Sequence, residues 1–389
     1  MTRRAAIIVL DGLGIGEAHD TGAYGDTGSN TLGNVLARAG EMSLPNMEKL
    51  GFGNCAPLRI IHPNPRALAA TGTAEPRSAG KDSTTGHWEL CGVVLERAFP
   101  TYPQGFPADV LAEFTRRTGR GVLANHAASG TAVIDRYGAE HQATGKWIVY
   151  TSADSVFQIA AHEATVPLAE LYAASAAARD ILRPPHAVSR VIARPFSGAP
   201  GAYARTPNRK DFSLEPVGRT LLDELESAGI PRLGVGKVDD LFAGRGITST
   251  HTATNADAYR LIRQGLKSDD WRLLLANVIE FDQSWGHRND VPGFLAGLEE
   301  LDRVLPGILE GAQAEDLIIF TADHGNDPTT PSTDHARERV PVLVYGPRVR
   351  AVSLGTRQTF ADVGQTVAEF LGVAPLAAGT SFLREVWGG

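Results

Sequence analysis

Two cysteines in 389 residues, Cys55 and Cys91, build neither a disulfide framework nor a thiolate metal site. A reducing compartment fits. The chain has no excess of positive charge. With 37 basic and 44 acidic residues its formal net charge is −7, which gives no bulk attraction for DNA or RNA. Local arginines can still seat a small anionic substrate. No apolar run reaches membrane length. The opening run AAIIVL (5–10) stops at Asp11, too short for a signal-peptide core or a membrane span. It reads as the first buried strand of a cytoplasmic protein. The 42 glycines are scattered, forming neither GxGxxG nor a P-loop, so no nucleotide site is claimed. No internal repeat or low-complexity tract stands out.

What is present is a series of short apolar runs: AAIIVL (5–10), GVLAN (121–125), WIVYTS (147–152), RVIARPF (190–196), RLGVGKV (232–238), LLLANVIEF (273–281), DLIIFTAD (316–323) and PVLVYG (341–346). Most are continuously apolar, as in sheets covered by helices on both faces. Helical patterns lie between them at 217–229, 292–312 and 360–372, and Pro306 is expected to break or kink the second. The alternation predicts an α/β fold. Proline- and aromatic-rich stretches at 91–107 and 196–218 mark two linkers. The expected organisation is a core at 1–96 and 217–389, interrupted by an α/β insertion at 97–216.

Acids and histidines collect where strands end: Asp11 after the first strand, Asp282 and His287 in EFDQSWGH, Asp323 and His324 in TADHGND, and His335 in STDH. Strand ends are where α/β folds gather site residues. Carboxylate oxygen with imidazole nitrogen favours Mn2+, Zn2+ or Fe2+ over an all-oxygen Mg2+ or Ca2+ site. Any one of these pairs arises by chance, and Asp11 alone reads equally as a turn cap. The set points to a two-metal site of the kind that serves phosphoryl transfer, against a solvated loop network.

Such a site needs a nucleophile. The stretch GKDSTTGHWE (80–89) offers Ser83, Thr84 and Thr85 on a presumed loop, with Gly86 allowing close approach. Metal coordination is one way to activate a hydroxyl at neutral pH. Lys81 reads as an anion holder or a solvated lysine, and His87 as loop scaffold. In the insertion, Arg190, Arg194, Arg205 and Arg209 are phosphate candidates by guanidinium geometry, each with a surface role as its alternative. Ser152 and Asp154 are placed to hydrogen-bond a sugar hydroxyl, and Lys237 to meet a phosphate.

Together, VLDGLGIGEAHDTGAYGDTGSNTLG (9–33), GKDSTTGHWE, YTSADSVFQIAAHE (150–163), RTPNR (205–209), GKVDDLFAGRGIT (236–248), EFDQSWGHR (280–288) and TADHGNDPTTPSTDHARERVPVLVYG (321–346) resemble the bacterial metal-dependent phosphopentomutases of the alkaline phosphatase superfamily. The resemblance runs nearly end to end, and the joint order of the motifs is highly specific. It implies an alkaline-phosphatase-like core sheet flanked by helices, with an inserted α/β cap domain. It implies two manganese ions, one held by Asp282, His287 and His335, the other by Asp11, Asp323, His324 and the nucleophile hydroxyl. Ser152 and Asp154 would hold the pentose. Arg190, with Arg205 or Arg209, would bind phosphate, and Lys237 would act from the core. The family usually reads GKDT where this chain reads GKDS, which puts the nucleophile at Ser83, with Thr85 as rival, and leaves fine positioning and substrate range open.

The implied reaction interconverts ribose (or deoxyribose) 1-phosphate and 5-phosphate through phosphoserine and a bisphosphate, primed by glucose 1,6-bisphosphate or ribose 1,5-bisphosphate. The cap would exclude water and retain the bisphosphate. Partners are then sugar phosphates, without nucleic acid or membrane, for a monomer or weak homo-oligomer. The alternatives are a mutase acting on a hexose or modified pentose phosphate in secondary metabolism, a phosphatase or phosphodiesterase, and a non-catalytic sugar-phosphate sensor.

Overall fold

The computed structural model describes residues 2–152 and 154–388. Ala153 in the SADS stretch, and Met1 and Gly389 at the ends of the expected core segments, lie outside them. The chain forms two compact units, Met1–Ala98 with Pro216–Gly389, and Phe99–Glu215.

The first unit carries an eight-stranded mixed sheet. From edge to edge its strands are Ser249–Thr250, Arg232–Val235, Leu273–Val278, Arg4–Leu10, Asp316–Thr321, Val340–Tyr345, Ala70–Ala74 and Ser353–Arg357. The central three are parallel, with Ile7 level with Leu275 on one side and Ile319 on the other. Every position in them is buried, which explains why they read as continuous apolar runs. Being parallel, they end on one side of the sheet, and Asp11, Asp282 and Asp323 follow those ends.

The second unit is built on a six-stranded sheet in the order Val122–Ala127, Trp147–Thr151, Val156–His162, Arg190–Ser197, Ala204–Arg205, with Lys210–Ser213 also pairing Arg190–Ser197. Its side chains alternate between two cores. Trp147, Val149, Phe157 and Val191 join Phe114 on one face. Ile148, Tyr150, Ala160 and Phe196 join Val133 and Ile134 on the other.

Three expectations need correction. The helix expected from 217 begins at Leu221, because Thr220 and Asp223 form a reciprocal capping box there. The strand expected at 232–238 ends at Val235, leaving Lys237 as the N-cap of the short helix Val238–Leu241. Pro306 does not break its helix, which runs Val291–Leu309. A proline leaves the carbonyl four residues earlier without its helical donor. Here that carbonyl, on Asp302, accepts from Asn46 Nδ2 at 3.0 Å. The Asp302 carboxylate returns the contact, taking the backbone N–H groups of Asn46 and Met47 at 2.8 Å each. It thereby caps the Pro45–Leu50 helix, whose own N-cap residue Leu44 supplies no side-chain bond. Asp302→Ala removes these bonds from a buried position. It is expected to lower stability by about 2 kcal/mol in urea unfolding.

Candidate active site

GKDSTTGHWE is irregular only through Asp82. Ser83 is the first residue of the helix Ser83–Leu90, and Asp82 caps it by accepting from Thr85 N. Thr85 closes the cap with its hydroxyl on Asp82 Oδ2 at 2.6 Å. Its oxygen is therefore committed to structure, and Thr84 is buried. Thr85→Val should leave turnover within about fivefold of wild type and cost about 1 kcal/mol in thermal unfolding. Gly86 explains how the helix approaches: a Cβ there would run into the Asp323 carbonyl.

Ser83 Oγ lies 3.0 Å from His324 Nε2 and 3.5 Å from Asp11 Oδ1. His324 Nε2 is 3.3 Å from Asp11 Oδ1 and 3.5 Å from Asp323 Oδ2. Beside this group, Asp282 faces two more histidines: Oδ2 is 3.3 Å from His287 Nε2, and Oδ1 is 3.3 Å from His335 Nε2. Asp11, Asp282 and His324 form one set of converging ligand atoms; Asp282, His287 and His335 form another. All six acids and histidines singled out from the strand ends thus come to one place, with Asp282 common to both sets.

The donor set fits divalent cations. His287 directs Nδ1 to the Thr333 carbonyl at 2.7 Å, and His324 directs Nδ1 to the Gly325 carbonyl at 3.0 Å. A carbonyl accepts only, so each Nδ1 carries the proton and each Nε2 can keep its lone pair for a metal. Asp323 Oδ2 is buried and, among the described residues, closes no hydrogen bond. His87 Nδ1 stands 3.0 Å from it but is 2.9 Å from the Ser83 carbonyl.

The electrostatics state the same demand for positive charge. Burial, then Asp323 and Asp282, push Asp11 up to about 6. Burial opposes the charged form of His324, but Asp323, Asp282 and Asp11 outweigh it and hold its pKa well above the ordinary value. Burial likewise disfavours ionised Asp282, and His335, His287 and His324 reverse the effect, holding it well below the usual range.

Sequence reasoning missed the residues that aim these groups. Asn277 Nδ2 donates to Asp11 Oδ2 at 2.9 Å, and Asn326 Nδ2 donates to Asp282 Oδ1 at 2.6 Å. Asn277 had a signal, a polar residue inside an apolar strand. His87, read as scaffold, lies against Asp323. Lys81 is not free for an anion: its Nζ sits 3.0 Å and 3.1 Å from the Asp26 oxygens and 3.3 Å from Asp334. Lys237 donates to Gln283 Oε1 at 2.6 Å.

In the second unit, Ser152 Oγ donates to Asp154 Oδ2 at 3.5 Å. Arg209 pairs with Asp211 at 2.6 Å, and Arg190 lies 3.8 Å from the same carboxylate. Arg205 stands over Gly130.

Comparison with known proteins decides the family. A profile of the Metalloenzyme superfamily matches residues 3–375. The phosphopentomutase of Caldanaerobacter subterraneus subsp. tengcongensis is 52% identical over 388 residues, covering 99% of this chain and 98% of that protein. The phosphopentomutase of Anaeromyxobacter sp. (strain K) is 53% identical over 388 residues, covering 99% and 100%. The chain belongs to the phosphopentomutases. As a member of that family it is an enzyme of the isomerase type, on an alkaline-phosphatase-like α/β core with an inserted domain. More distant solved structures share the fold. The PH0037 protein from Pyrococcus horikoshii has a TM-score of 0.50 at 16% identity, covering 96% of this chain and 98% of its own. Leishmania mexicana phosphoglycerate mutase has 0.50 at 14%, covering 100% and 98%. Among the described residues, no helix is long and apolar enough to cross a membrane.

Proposed function

We propose that this chain interconverts ribose or deoxyribose 1-phosphate and 5-phosphate through a phosphorylated Ser83. The observation that carries the reading is the placement of Ser83 Oγ, 3.0 Å from His324 Nε2, inside the converging aspartates and histidines. Asp282, His287 and His335 would hold one Mn2+, and Asp11, Asp323, His324 and the serine hydroxyl the other. When bound, the ions supply charge that neutralises the phosphoryl oxygens and lowers the pKa of the serine hydroxyl.

The rest is done by the chain. Ser83 opens a helix whose N-terminus favours the negative charge of a phosphoserine. In the forward step the hydroxyl of a sugar monophosphate forms a new P–O bond while the P–Oγ bond to Ser83 breaks, and the proton given up by the sugar hydroxyl ends on the freed Ser83 Oγ. The bisphosphate turns round and returns its other phosphoryl group to Ser83. Ser152 and Asp154 hold the pentose. Arg190, Arg205 and Arg209 serve its phosphate, with Lys237 contributing from the core. The inserted unit acts as the cap domain, retaining the bisphosphate against hydrolysis. Glucose 1,6-bisphosphate or ribose 1,5-bisphosphate charges the serine at the outset. We place the enzyme in the cytoplasm, as a monomer or weak homo-oligomer.

Mass spectrometry after incubation with manganese and glucose 1,6-bisphosphate tests the phosphoserine. The expected result is one phosphoryl group on the peptide containing Ser83. An unmodified peptide under conditions of full turnover would contradict it.

A further inference from the structure

Glu338 is a buried acid to which the reaction above gives no part. It stands between two of the loops that carry ligand residues. A Cβ on Gly14, in the loop that follows Asp11, would run into its carboxylate, and so would a Cβ on Gly325, next to His324. Glycine is needed in both loops because the acid fills the space. Glu338 follows His335 on a segment that pairs Ala336 with Gly325, through N–H to carbonyl bonds of 2.7 and 3.0 Å. A carboxylate is costly to bury unless its oxygens are satisfied. Here Oε2 accepts from Gly16 N at 3.2 Å and Thr31 N at 2.9 Å, and Oε1 accepts from the Thr31 hydroxyl at 2.7 Å.

Thr31 passes this restraint on. Its hydroxyl gives its one proton to Glu338, so its oxygen is left to accept, and it takes the backbone N–H of Asn326 at 3.0 Å. The same N–H also reaches the Gly12 carbonyl at 2.9 Å. Asn326 then turns Nδ2 to Asp282 Oδ1 at 2.6 Å, the oxygen that His335 Nε2 faces at 3.3 Å. Among the described residues Asn326 Oδ1 closes no hydrogen bond. The direction of this amide is therefore set by where its backbone is held, and Thr31 and Gly12 hold it. Thr31 and Asn326 are buried like Glu338, so a bond lost here is not readily replaced by solvent.

We propose that Glu338 is a positioning residue for the metal centre, acting through the Thr31 hydroxyl and Asn326 to aim Asp282, the carboxylate common to both converging sets. Glu338 is not itself a ligand in either set. It keeps the Asp11 loop and the Asp323–His324 loop at a fixed separation, and through Asn326 it fixes which Asp282 oxygen faces His335. Outer partners of this kind ordinarily contribute about ten- to a hundredfold in metal affinity or activity. The inference rests on the two-metal reading above.

The test uses the full-length protein, dialysed free of metal and titrated with manganese by calorimetry. Electron paramagnetic resonance of the loaded protein, thermal melts, and kcat and KM for ribose 5-phosphate are measured alongside. The variants are Thr31→Val, Thr31→Ser and Glu338→Gln. Valine keeps the shape of threonine and loses the hydroxyl. Glutamine keeps the length of glutamate but turns one acceptor into a donor that faces N–H or O–H groups. Thr31→Val and Glu338→Gln should each weaken manganese binding about tenfold, change the manganese resonance spectrum and lower kcat about tenfold, with KM within about threefold. Thr31→Ser should recover most of the loss in each readout. A purely structural role would lower the melting temperature and leave the manganese affinity and spectrum of the folded protein unchanged. That result in Thr31→Val overturns the inference, and Thr31→Val decides alone if Glu338→Gln does not fold. Equal losses in Thr31→Ser and Thr31→Val overturn the part given to the hydroxyl. A wild type that binds manganese with these dependences but does not turn over pentose phosphates upholds the positioning role and removes the mutase reading instead. A wild type that binds no manganese removes the two-metal reading and this inference with it.

Discussion

Ser83→Ala is expected to lower mutase turnover by about a thousandfold or more while leaving bound manganese and the melting temperature nearly unchanged. The size of the effect follows from the neighbouring hydroxyls. Thr85 lies within the same turn, but its oxygen is held by Asp82 at 2.6 Å, and releasing it would uncap the helix. Thr84 is buried on that helix. Of these three hydroxyls, Ser83 Oγ stands among the acids and histidines, 3.5 Å from Asp11 Oδ1. Ser83→Thr adds a methyl group and keeps the hydroxyl, as in the GKDT form that the resemblance makes usual. It should stay within about tenfold of wild type. Steady-state kinetics with metal analysis on both variants checks this. Turnover of Ser83→Ala within tenfold of wild type would move the nucleophile to another hydroxyl.

Asp282→Asn should be nearly as severe, by a different route. Its two oxygens face His335 and His287 at 3.3 Å each, and Oδ1 also accepts from Asn326 at 2.6 Å. Among the described residues, no other belongs to both converging sets. Asparagine keeps the volume, loses the charge and turns one acceptor into a donor that faces either a histidine Nε2 or the Asn326 amide. Turnover should fall about a thousandfold. A ligand that binds only the folded state raises its melting temperature by mass action. The manganese-dependent rise in melting temperature should therefore shrink or vanish. In the metal-free protein His335, His287 and His324 favour the ionised Asp282 carboxylate, so removing its charge should lower the melting temperature there as well. Calorimetry with and without manganese separates the two effects. An unchanged manganese-dependent rise would remove Asp282 from the metal centre.

The strands that build the site were legible because they are buried on both faces, so Arg4–Leu10, Leu273–Val278 and Asp316–Thr321 read as uninterrupted apolar runs. Five of the six acids and histidines were legible because parallel strands deliver their following residues to one edge, and His335 because it comes just before the antiparallel strand Val340–Tyr345. Other elements left weaker traces. Ala70–Ala74 is a strand of threonine, glycine and alanine, with no bulky side chain to mark it, and it exists because Val340–Tyr345 and Ser353–Arg357 pair with it. Pro306 was expected to interrupt a helix because the Asn46 amide that satisfies the freed carbonyl comes from 256 residues away. Ser83 reads as loop in the sequence because its eight-residue helix, buried from Thr84 onward, shows no amphipathic stripe. Asn326 and Asp302 act through contacts distant in sequence, which periodicity does not encode.

The central claim is tested most directly by phosphorus NMR of ribose 1-phosphate incubated with manganese-loaded protein and a trace of glucose 1,6-bisphosphate, with a hexose 1-phosphate run alongside. The account predicts conversion of the ribose 1-phosphate signal to ribose 5-phosphate, lost in Ser83→Ala, with little isomerisation of the hexose. Steady release of inorganic phosphate without ribose 5-phosphate, or isomerisation of the hexose alone, would contradict it.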